Sequence, residues 1–336
     1  MNDKIRWGIL STGYIAHQFA DGLAVLPDAQ MAAVGSRNAD TAAEFAARYN
    51  IPRSYSSYEE LVRDPEIDVV YVGTPHRFHK ENTLLCLSAG KPVLCEKPLA
   101  INAADAESVV KAARQRKLFL MEAMWSRFLP ALVKARQMIE EGVIGRVEIV
   151  ASDFGFAAPF DPKSRLYDPE LGGGALLDVG IYPVSLASLI LGPPDRITSM
   201  AQFGPTKVDE QSAMIFAYES GALAVSYATI RCGTYTEATI AGSDGIIRLH
   251  AQVGLFRPYK LTLSLHGQED QVIDLPYEGN GYNYEAAEVM RCLRSGETES
   301  QVMPLDESVE IIRTMDKIRA QWGLKYPMER STTKKL

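Results

Sequence analysis

Hydrophobic and polar positions follow one pattern in the first third of this 336-residue chain. Short apolar runs of strand character alternate with stretches of helical spacing, several of them rich in alanine. This alternation predicts βαβ units and a parallel sheet that is covered by helices on both faces. The predicted strands are 5–10, 31–35, 68–72, 93–95 and 118–121, and the predicted helices are 14–26, 40–49, 57–62, 79–89 and 103–116.

A second pattern begins after residue 146, where apolar and polar residues alternate with a period of two. Such runs, joined by short turns, predict a large, open and mostly antiparallel sheet. We therefore predict an α/β domain at 1–122 and an α+β domain with flanking helices at 123–336. The strands predicted in the second domain are 147–152, 197–203, 211–218, 222–229, 237–241, 246–249, 260–265 and 271–275, with helices at 130–141, 182–191, 284–294 and 305–321.

Composition and charge exclude several classes of partner. The chain is 46% hydrophobic and 23% charged, and its net charge of −7 comes without a basic stripe, which argues against nucleic acid or a membrane surface. No signal peptide and no apolar run long enough to span a bilayer are predicted, so we expect a cytoplasmic protein. The four cysteines lack metal-ligand spacing, so we expect free thiols and no metal site.

The turn after the first predicted strand matches the dinucleotide-binding fingerprint G-x-G-x-x-G/A, with Ser11 at the first glycine, then Gly13 and Ala16. Gly13 lets the backbone approach a pyrophosphate, and the amino end of the following helix offers N–H donors. Because serine replaces the first glycine, the match depends on its place at the start of a βαβ series, and an ordinary strand–turn–helix corner is the alternative. The predicted cofactor contacts are Ser11, Thr12, Gly13, Tyr14 and Ile15.

The end of the second predicted strand bears on the choice of cofactor. NAD-selective sites place an acidic residue there, whereas an arginine can bind the 2′-phosphate of NADP. This strand ends at Ser36 and Arg37, and Asp40 comes later, with the character of a helix start. We therefore predict NADP(H) as the preferred cofactor and NAD(H) as the second choice. The alternative for Arg37 is an ordinary surface arginine.

Two further turns follow predicted strands at the edge where open α/β sheets bind ligands. Thr74 and Pro75 suit a tight turn beside a flat ligand, and His79 lacks a carboxylate or thiol partner at metal-binding spacing, so a loop and helix-cap role is preferred. Glu96 and Lys97 follow the strand 93–95. A lysine ammonium in a partly dry cleft can handle protons, and a solvated turn lysine is the alternative.

Together these motifs resemble the Gfo/Idh/MocA family of oxidoreductases. The resemblance also includes the segment 172–182, GGGALLDVGIY, and it extends over the whole chain. The segment 121–130, MEAMWSRFLP, is similar to the branch that contains dimeric dihydrodiol dehydrogenases and NADP-dependent D-xylose dehydrogenases. The resemblance implies an N-terminal Rossmann domain that binds the dinucleotide, followed by an open-faced sheet domain for substrate binding and oligomerisation.

The same resemblance implies roles for individual residues. Lys97 would lie beside the nicotinamide, and Asp178 and Tyr182 would lie across the substrate pocket. The residues that would belong to the cofactor site are Glu96, Thr74, Pro75 and His79. Many relatives carry histidine where this chain has Tyr182, which makes inositol dehydrogenase activity a weaker expectation. Aromatic rings stack on sugar rings and arginines bind hydroxyls. Further expected pocket walls are Trp125, Arg127, Phe160 and Arg165, the last of which could instead form only a salt bridge within its loop.

These residues suit the oxidation of a secondary alcohol or hemiacetal, in which the carbinol hydrogen leaves as hydride and the hydroxyl proton goes to a base. A free tyrosine is a poor base, but the Lys97 ammonium would favour the phenolate of Tyr182. Asp178 would bind a substrate hydroxyl or orient Lys97. The reverse assignment, with Lys97 as base, stays open. If Asp178 begins the helix that ends at 191, Asp178 and Tyr182 share one face of it. The alternative for Asp178 is a helix cap, and the alternative for Tyr182 is a half-buried packing aromatic.

The leading functional prediction is an NADP(H)-preferring dehydrogenase of a cyclic polyol, either a sugar such as D-xylose or a trans-dihydrodiol. A keto-sugar reductase is the enzymatic alternative, and a cofactor-binding sensor is the non-catalytic one. An open sheet with one apolar face has to be covered, so we expect a homodimer through the C-terminal sheet, with a tetramer as the second choice.

Overall fold

The computed structural model describes residues 4–252 and 254–330, and the chain divides into two compact units. The first unit comprises the chain up to Trp125 together with Glu278–Val309. The second comprises Ser126–Tyr277 and the chain from Glu310 onwards. The division therefore differs from the predicted boundary at 122, because a late segment joins the first unit. The first three residues, on which the expectation of no signal peptide partly rests, lie outside the described part.

Helices make up much of both units. Asn38, Ser57 and Asn102 begin three of them as N-caps, each with a side-chain oxygen that accepts from backbone N–H groups of the first turn. The α-helices are α1 (Tyr14–Leu23), α2 (Ala39–Tyr49), α3 (Tyr58–Arg63), α4 (His79–Ser88), α5 (Ala103–Arg116), α6 (Pro130–Glu140), α7 (Ile181–Leu191), α8 (Tyr282–Ser295), α9 (Leu305–Trp322) and α10 (Pro327–Arg330).

The first unit contains a six-stranded parallel sheet. Its strands are β1 (Ile5–Leu10), β2 (Ala29–Gly35), β3 (Arg53–Tyr55), β4 (Val69–Val72), β5 (Val93–Glu96) and β6 (Leu120–Ala123). They lie in the order β3-β2-β1-β4-β5-β6, which is the doubly wound order of Rossmann domains. The order reverses between β1 and β4, where such sheets bind ligands. The sequence analysis missed β3, since three residues at a sheet edge are too few to show a period.

The segment Glu278–Val309 belongs to the first unit through specific contacts. Asn280 donates from its amide nitrogen to the carbonyl of Gln18 at 2.7 Å. Arg114 of α5 pairs with Glu299 at 2.8 Å. Contacts across such sequence separations leave no local pattern, which is why a linear boundary could not include this segment.

The second unit contains an eight-stranded sheet in the order β14-β13-β12-β11-β7-β10-β9-β8. All neighbours are antiparallel except β7 and β10, which are parallel. This arrangement and the Rossmann sheet confirm the predicted fold class. The strands are β7 (Val147–Gly155), β8 (Arg196–Phe203), β9 (Asp209–Ala217), β10 (Leu223–Thr229), β11 (Ala238–Gly242), β12 (Gly245–Gln252), β13 (Leu255–Leu265) and β14 (Gln271–Asp274).

The two faces of this sheet differ. One face packs against helices, with α7 on β7 and β10 and α6 on β12 and β13. The other face is exposed, and buried and exposed residues alternate along most of β9 and β10. The exposed face is nevertheless rich in large apolar side chains, which include Ile149, Met200, Ile215, Leu223, Val225 and Tyr227.

Within the described residues, the helical stretch Pro169–Leu191 is long and apolar enough to cross a membrane, by length and composition alone. The prediction that the chain has no apolar run of this length is therefore wrong as a statement about length and composition. In the structure 78% of its most apolar window is buried, as in a core helix. Packing inside the protein therefore accounts for its apolar character.

Candidate active site

The turn after β1 has the backbone of a dinucleotide-binding turn although serine replaces the first glycine. Ser11 adopts a φ of +121°, a conformation that normally requires glycine. Its hydroxyl accepts a hydrogen bond from the N–H of Gly13 at 3.2 Å. A Cβ on Gly13 would meet only Ser11 Oγ, at 3.5 Å, so a ligand could approach this backbone closely. Strain of this kind is typical of functional sites.

A cavity of about 530 Å³ lies in the first unit beside the ends of β2 and β4. Arg37, Thr74 and Pro75, three of the predicted cofactor residues, line it together with Tyr58. The Arg37 guanidinium lies over the Phe78 ring, 5.5 Å from its centroid. This cation–π contact holds a positive charge beside the cavity.

Beside Arg37, hydroxyl groups line the same turn. Ser36 Oγ and Thr41 Oγ1 are hydrogen-bonded at 2.8 Å, and the backbone N–H of Asn38 donates to Ser36 Oγ at 3.3 Å. The turn thus combines a guanidinium, two hydroxyls and the amino end of α2. These groups suit a phosphate ester on a ribose.

The turn after β5 holds Lys97 in a nearly buried position, with 9% of the residue exposed. Its backbone N–H donates to Glu96 Oε2 at 3.3 Å, and Glu96 Oε1 accepts from the hydroxyl of Tyr71 at 2.7 Å. The Lys97–Pro98 peptide bond is cis. Because only 9% of Lys97 is exposed, the structure excludes the alternative of a fully solvated turn lysine.

His79 connects this turn to the turn after β4. Its two ring nitrogens lie 2.7 Å from the carbonyl oxygen of Pro98 and 2.6 Å from that of Thr74. Asn82 adds a hydrogen bond from its amide to Thr74 Oγ1 at 3.1 Å. Of the predicted loop and helix-cap role, the cap part is wrong, because Phe78 is the N-cap of α4 and His79 is its first helical residue, with a side chain that lies between the carbonyls of two turns. His79 thus fixes the spacing of the turns that carry Thr74 and Lys97.

Glu285 of α8 is a buried acidic group that the sequence analysis missed. It is fully buried, and neither carboxylate oxygen has a hydrogen-bond partner among the described residues. Burial raises the pKa of Glu285 well above its usual range, and the nearby Glu96 raises it further. No local signal could have indicated this, since a glutamate in an amphipathic helix normally faces solvent.

In the second unit, Asp178 lies in a π-type turn, Leu176–Gly180, which runs directly into α7. Arg165 contacts it with Nη1 2.6 Å from Asp178 Oδ1. Half of the Arg165 side chain is exposed, whereas that of Asp178 is nearly buried. The alternative considered for Arg165 was a salt bridge within its own loop, whereas the structure shows one to Asp178, the predicted catalytic carboxylate outside that loop. Asp178 does not begin an α-helix as predicted, because the wide turn intervenes, and such turns are frequent at functional sites.

Tyr182 occupies the first turn of α7 and is 5% exposed. Its ring lies edge-on to Phe154, with centroids 5.2 Å apart, and 5.4 Å from the centroid of Phe256. These aromatic contacts fix the plane of the phenol in apolar surroundings. Phe154 and Phe256 come from β7 and β13 and were not predicted, because their meeting depends on the pairing of distant strands.

The other predicted pocket walls have contacts within their own units. Trp125 stacks on Tyr282, with ring centroids 4.8 Å apart. Arg127 is buried, and its guanidinium donates to the hydroxyl and the carbonyl of Ser185 in α7, both at 3.0 Å. Phe160 is more than half exposed on a loop. Substrate contact by these three residues stays a prediction.

The first unit therefore brings together the predicted cofactor residues, and the second brings together Arg165, Asp178 and Tyr182. In residues 4–252 and 254–330, no three His, Cys, Asp or Glu side chains are placed to hold a metal ion. The glycine-type turn after β1 and the cavity beside Arg37 fit a dinucleotide. The first unit therefore has the fold and the turn of a domain that binds a nicotinamide dinucleotide.

Comparison with known proteins gives matches along nearly the whole chain. The model of an oxidoreductase family with an NAD-binding Rossmann fold, GFO_IDH_MocA, matches residues 5–124, and the GFO/IDH/MocA C-terminal domain matches 132–248. The chain is 39% identical over 334 residues to trans-1,2-dihydrobenzene-1,2-diol dehydrogenase of Xenopus laevis, covering 96% of this chain and 99% of that one.

Solved structures share the fold over nearly the same length. KijD10, a 3-ketoreductase from Actinomadura kijaniata in complex with NADP and TDP-benzene, matches with a TM-score of 0.84 and 26% identity, covering 95% of this chain and 98% of that chain. The aldose-aldose oxidoreductase from Caulobacter crescentus, complexed with glycerol, matches with a TM-score of 0.86 and 24% identity, covering 96% and 98%.

Proposed function

Because the chain belongs to the Gfo/Idh/MocA family of oxidoreductases, we propose that it transfers a hydride between a nicotinamide cofactor and a carbinol carbon of a cyclic polyol. The relative from Xenopus laevis, named for a trans-dihydrodiol, supports a dihydrodiol as the first substrate class. A sugar such as D-xylose is the second. The observation that carries the proposal is the nearly buried Lys97 at the carboxyl edge of the Rossmann sheet, joined through His79 to the turn that lines the cofactor cavity.

The mechanism follows from the groups that the chain provides. The bound nicotinamide supplies the acceptor for the hydride. Tyr182, fixed by its aromatic neighbours, takes the hydroxyl proton, and the positive charge of Lys97 favours its phenolate. Asp178, held by Arg165, accepts a hydrogen bond from a neighbouring substrate hydroxyl. In the other form of the proposal Lys97 is the base and Tyr182 donates a positioning hydrogen bond.

A cofactor titration followed by a substrate panel tests this function. The purified protein is titrated with NADPH and NADH, and trans-dihydrodiols, pentoses and hexoses are then assayed with the preferred oxidised cofactor. We expect binding of at least one dinucleotide and turnover of at least one cyclic diol or sugar. Binding without turnover in either direction would favour a cofactor-binding sensor over an enzyme.

A keto-sugar reductase is the second candidate, and the likeness to the 3-ketoreductase KijD10 favours it. The same residues would then work in reverse, with Tyr182 or Lys97 giving a proton to the developing alkoxide. Assays of keto sugars with the reduced cofactor distinguish the two candidates, because a dedicated reductase turns over ketones far more efficiently than polyols.

We expect Arg37→Ala to weaken NADPH binding about 10- to 100-fold and to leave NADH binding nearly unchanged. The guanidinium lines the cofactor cavity, and a hydrogen bond between charged groups is worth about 1.5–3 kcal/mol. Fluorescence titration of both reduced cofactors measures the change. Arg63→Ala, an exposed arginine that does not line this cavity, is the matched control. An equal loss of affinity for both cofactors would contradict a 2′-phosphate contact.

We further propose that the protein is a homodimer through the exposed sheet face. Ile215 and Val225 are exposed on that face, so aspartates in their places would be buried in the dimer interface without a partner. The double variant Ile215→Asp, Val225→Asp should therefore be a monomer. Light scattering after gel filtration measures the mass. Val133→Asp, at an exposed apolar position of α6, should leave the dimer intact. A dimer that survives the double substitution would place the interface elsewhere.

A further inference from the structure

A buried carboxylate of β9 is hydrogen-bonded to the segment that carries Asp178. Asp209 is fully buried, and its Oδ2 accepts a hydrogen bond from the N–H of Leu176 at 2.7 Å. Leu176 is the first residue of the π-type turn. The other oxygen, Oδ1, has no hydrogen-bond partner within the described chain. An aspartate is costly to bury, so its position calls for a role beyond packing.

The backbone just before this turn depends on the same aspartate. Gly174 has a φ of +118°, and a Cβ at this position would overlap with Asp209 Oδ1. Glycine is therefore required both for the backbone conformation and for the close approach of the carboxylate. Asp209 thus contacts the chain on both sides of Ala175.

Tyr326 holds the neighbouring residue from another direction. It lies just before α10, is fully buried, and donates from its hydroxyl to the carbonyl of Gly173 at 2.7 Å. The Arg319 guanidinium lies 5.2 Å from the centroid of the Tyr326 ring and pairs with Glu329 at 2.9 Å and Asp316 at 2.5 Å. The ring is thereby fixed from the side of α9 and α10.

We propose that Asp209 and Tyr326 are positioning residues that set the backbone of 173–176 and, through it, the orientation of Asp178 and Tyr182. This inference rests on the proposed function of those two side chains. Neither Asp209 nor Tyr326 contacts substrate or cofactor in this role. Their effect is indirect, because the π-type turn begins at Leu176. A shift of the Leu176 N–H would displace the residues that follow it, which include Asp178 and Tyr182.

The protonation state of Asp209 predicts how the effect of its replacement depends on pH. Burial raises the pKa of Asp209 to about 7, while the N–H of Leu176 and the charge of Arg319 act in the opposite direction. The charged or titratable groups that act on Asp209 or are affected by it are Arg319 and Tyr326, and Arg319 in turn pairs with Glu329 and Asp316. Below about pH 7 the carboxyl is neutral and accepts from Leu176 as an amide would. Asn should therefore replace Asp209 well at low pH and differ from it only above pH 7.

The experiment compares Tyr326→Phe, Asp209→Ala and Asp209→Asn with the wild type. Tyr218→Phe is the matched control, because Tyr218 is also buried in the second unit but its hydroxyl has no hydrogen-bond partner in the described residues. Amide hydrogen exchange of the segment 173–182, measured by mass spectrometry, reports the anchoring of the backbone without any need for activity. Values of kcat and KM across pH report its consequence for catalysis.

We expect Tyr326→Phe and Asp209→Ala to speed exchange in this segment at least tenfold and to lower kcat about tenfold or more, with cofactor affinity unchanged. Asp209→Asn should match the wild type below pH 7, and Tyr218→Phe should match it throughout. Unchanged exchange in both Tyr326→Phe and Asp209→Ala would overturn the inference, as would faster exchange with unchanged kcat.

Two features of this experiment keep its result informative. Tyr326→Phe retains the buried ring, so it remains informative if Asp209→Ala does not fold. If the wild type turns over none of the panel substrates, the proposed function fails by itself. The exchange data then still decide whether the two side chains anchor this segment.

Discussion

Replacement of Lys97 by Met will lower kcat for polyol oxidation by about 10²- to 10⁴-fold, the range typical of lost proton-transfer catalysis, and will leave cofactor affinity within a few-fold. The side chain is nearly buried at the end of β5, where methionine has a similar length and no charge. The backbone contacts of the turn come from Glu96 and His79 and survive the change. Steady-state kinetics together with a cofactor titration measure both quantities.

Lys97→Arg distinguishes the two assignments of the proton. An arginine keeps the positive charge but does not release its proton at neutral pH. Activity retained in Lys97→Arg would identify Lys97 as the electrostatic partner of Tyr182, whereas a loss equal to that of Lys97→Met would identify it as the base. Lys111→Ala, at an exposed position of α5, is the control. Normal turnover in Lys97→Met would show that Lys97 takes no part in the proton transfer.

Tyr182→Phe will also lower kcat by about 10²- to 10⁴-fold. The phenyl ring retains its contacts with Phe154 and Phe256, so the melting temperature should change little. Activity and thermal unfolding are measured on the same preparation. The control is again Tyr218→Phe, which removes a buried hydroxyl outside the proposed site. A large loss of stability with unchanged kcat in the folded fraction would reduce Tyr182 to a packing residue.

The double variant Lys97→Met with Tyr182→Phe adds a test of whether the two side chains act together. Groups that act as one unit give strongly non-additive losses of kcat. The double variant should therefore be about as active as the less active of the two single variants. Multiplied losses would mean that the two side chains contribute independently to the reaction.

Those parts of the fold and the site that depend on neighbouring residues could be predicted from the sequence. The apolar run of β1 followed by Ser11 and Gly13 indicated the dinucleotide turn, and β5 followed by Lys97 indicated the second turn. Parallel strands buried on both faces are continuous apolar runs, so their ends are easily located. The alternating strands of the second unit likewise predicted its open sheet.

The parts that depend on distant contacts could not be predicted. Glu285 and Asp209 are both buried acids, and their sequence neighbourhoods are those of ordinary polar positions. The contact of Arg165 with Asp178 depends on how the loop before the glycines folds back. Phe256 meets Tyr182 only through strand pairing across the second sheet. In each case the partner's position is set by packing, which a single sequence does not display.

The most direct measurement follows deuterium from the substrate to the nicotinamide. A trans-dihydrodiol or D-xylose deuterated at the carbinol carbon is incubated with the wild-type protein and the oxidised cofactor, and the reduced cofactor is analysed by mass spectrometry. A hydride-transferring dehydrogenase must deliver one deuterium to each reduced nicotinamide and show slower turnover than with the unlabelled substrate. Reduced cofactor without deuterium, or oxidised product without reduced cofactor, would contradict hydride transfer as the reaction of this protein.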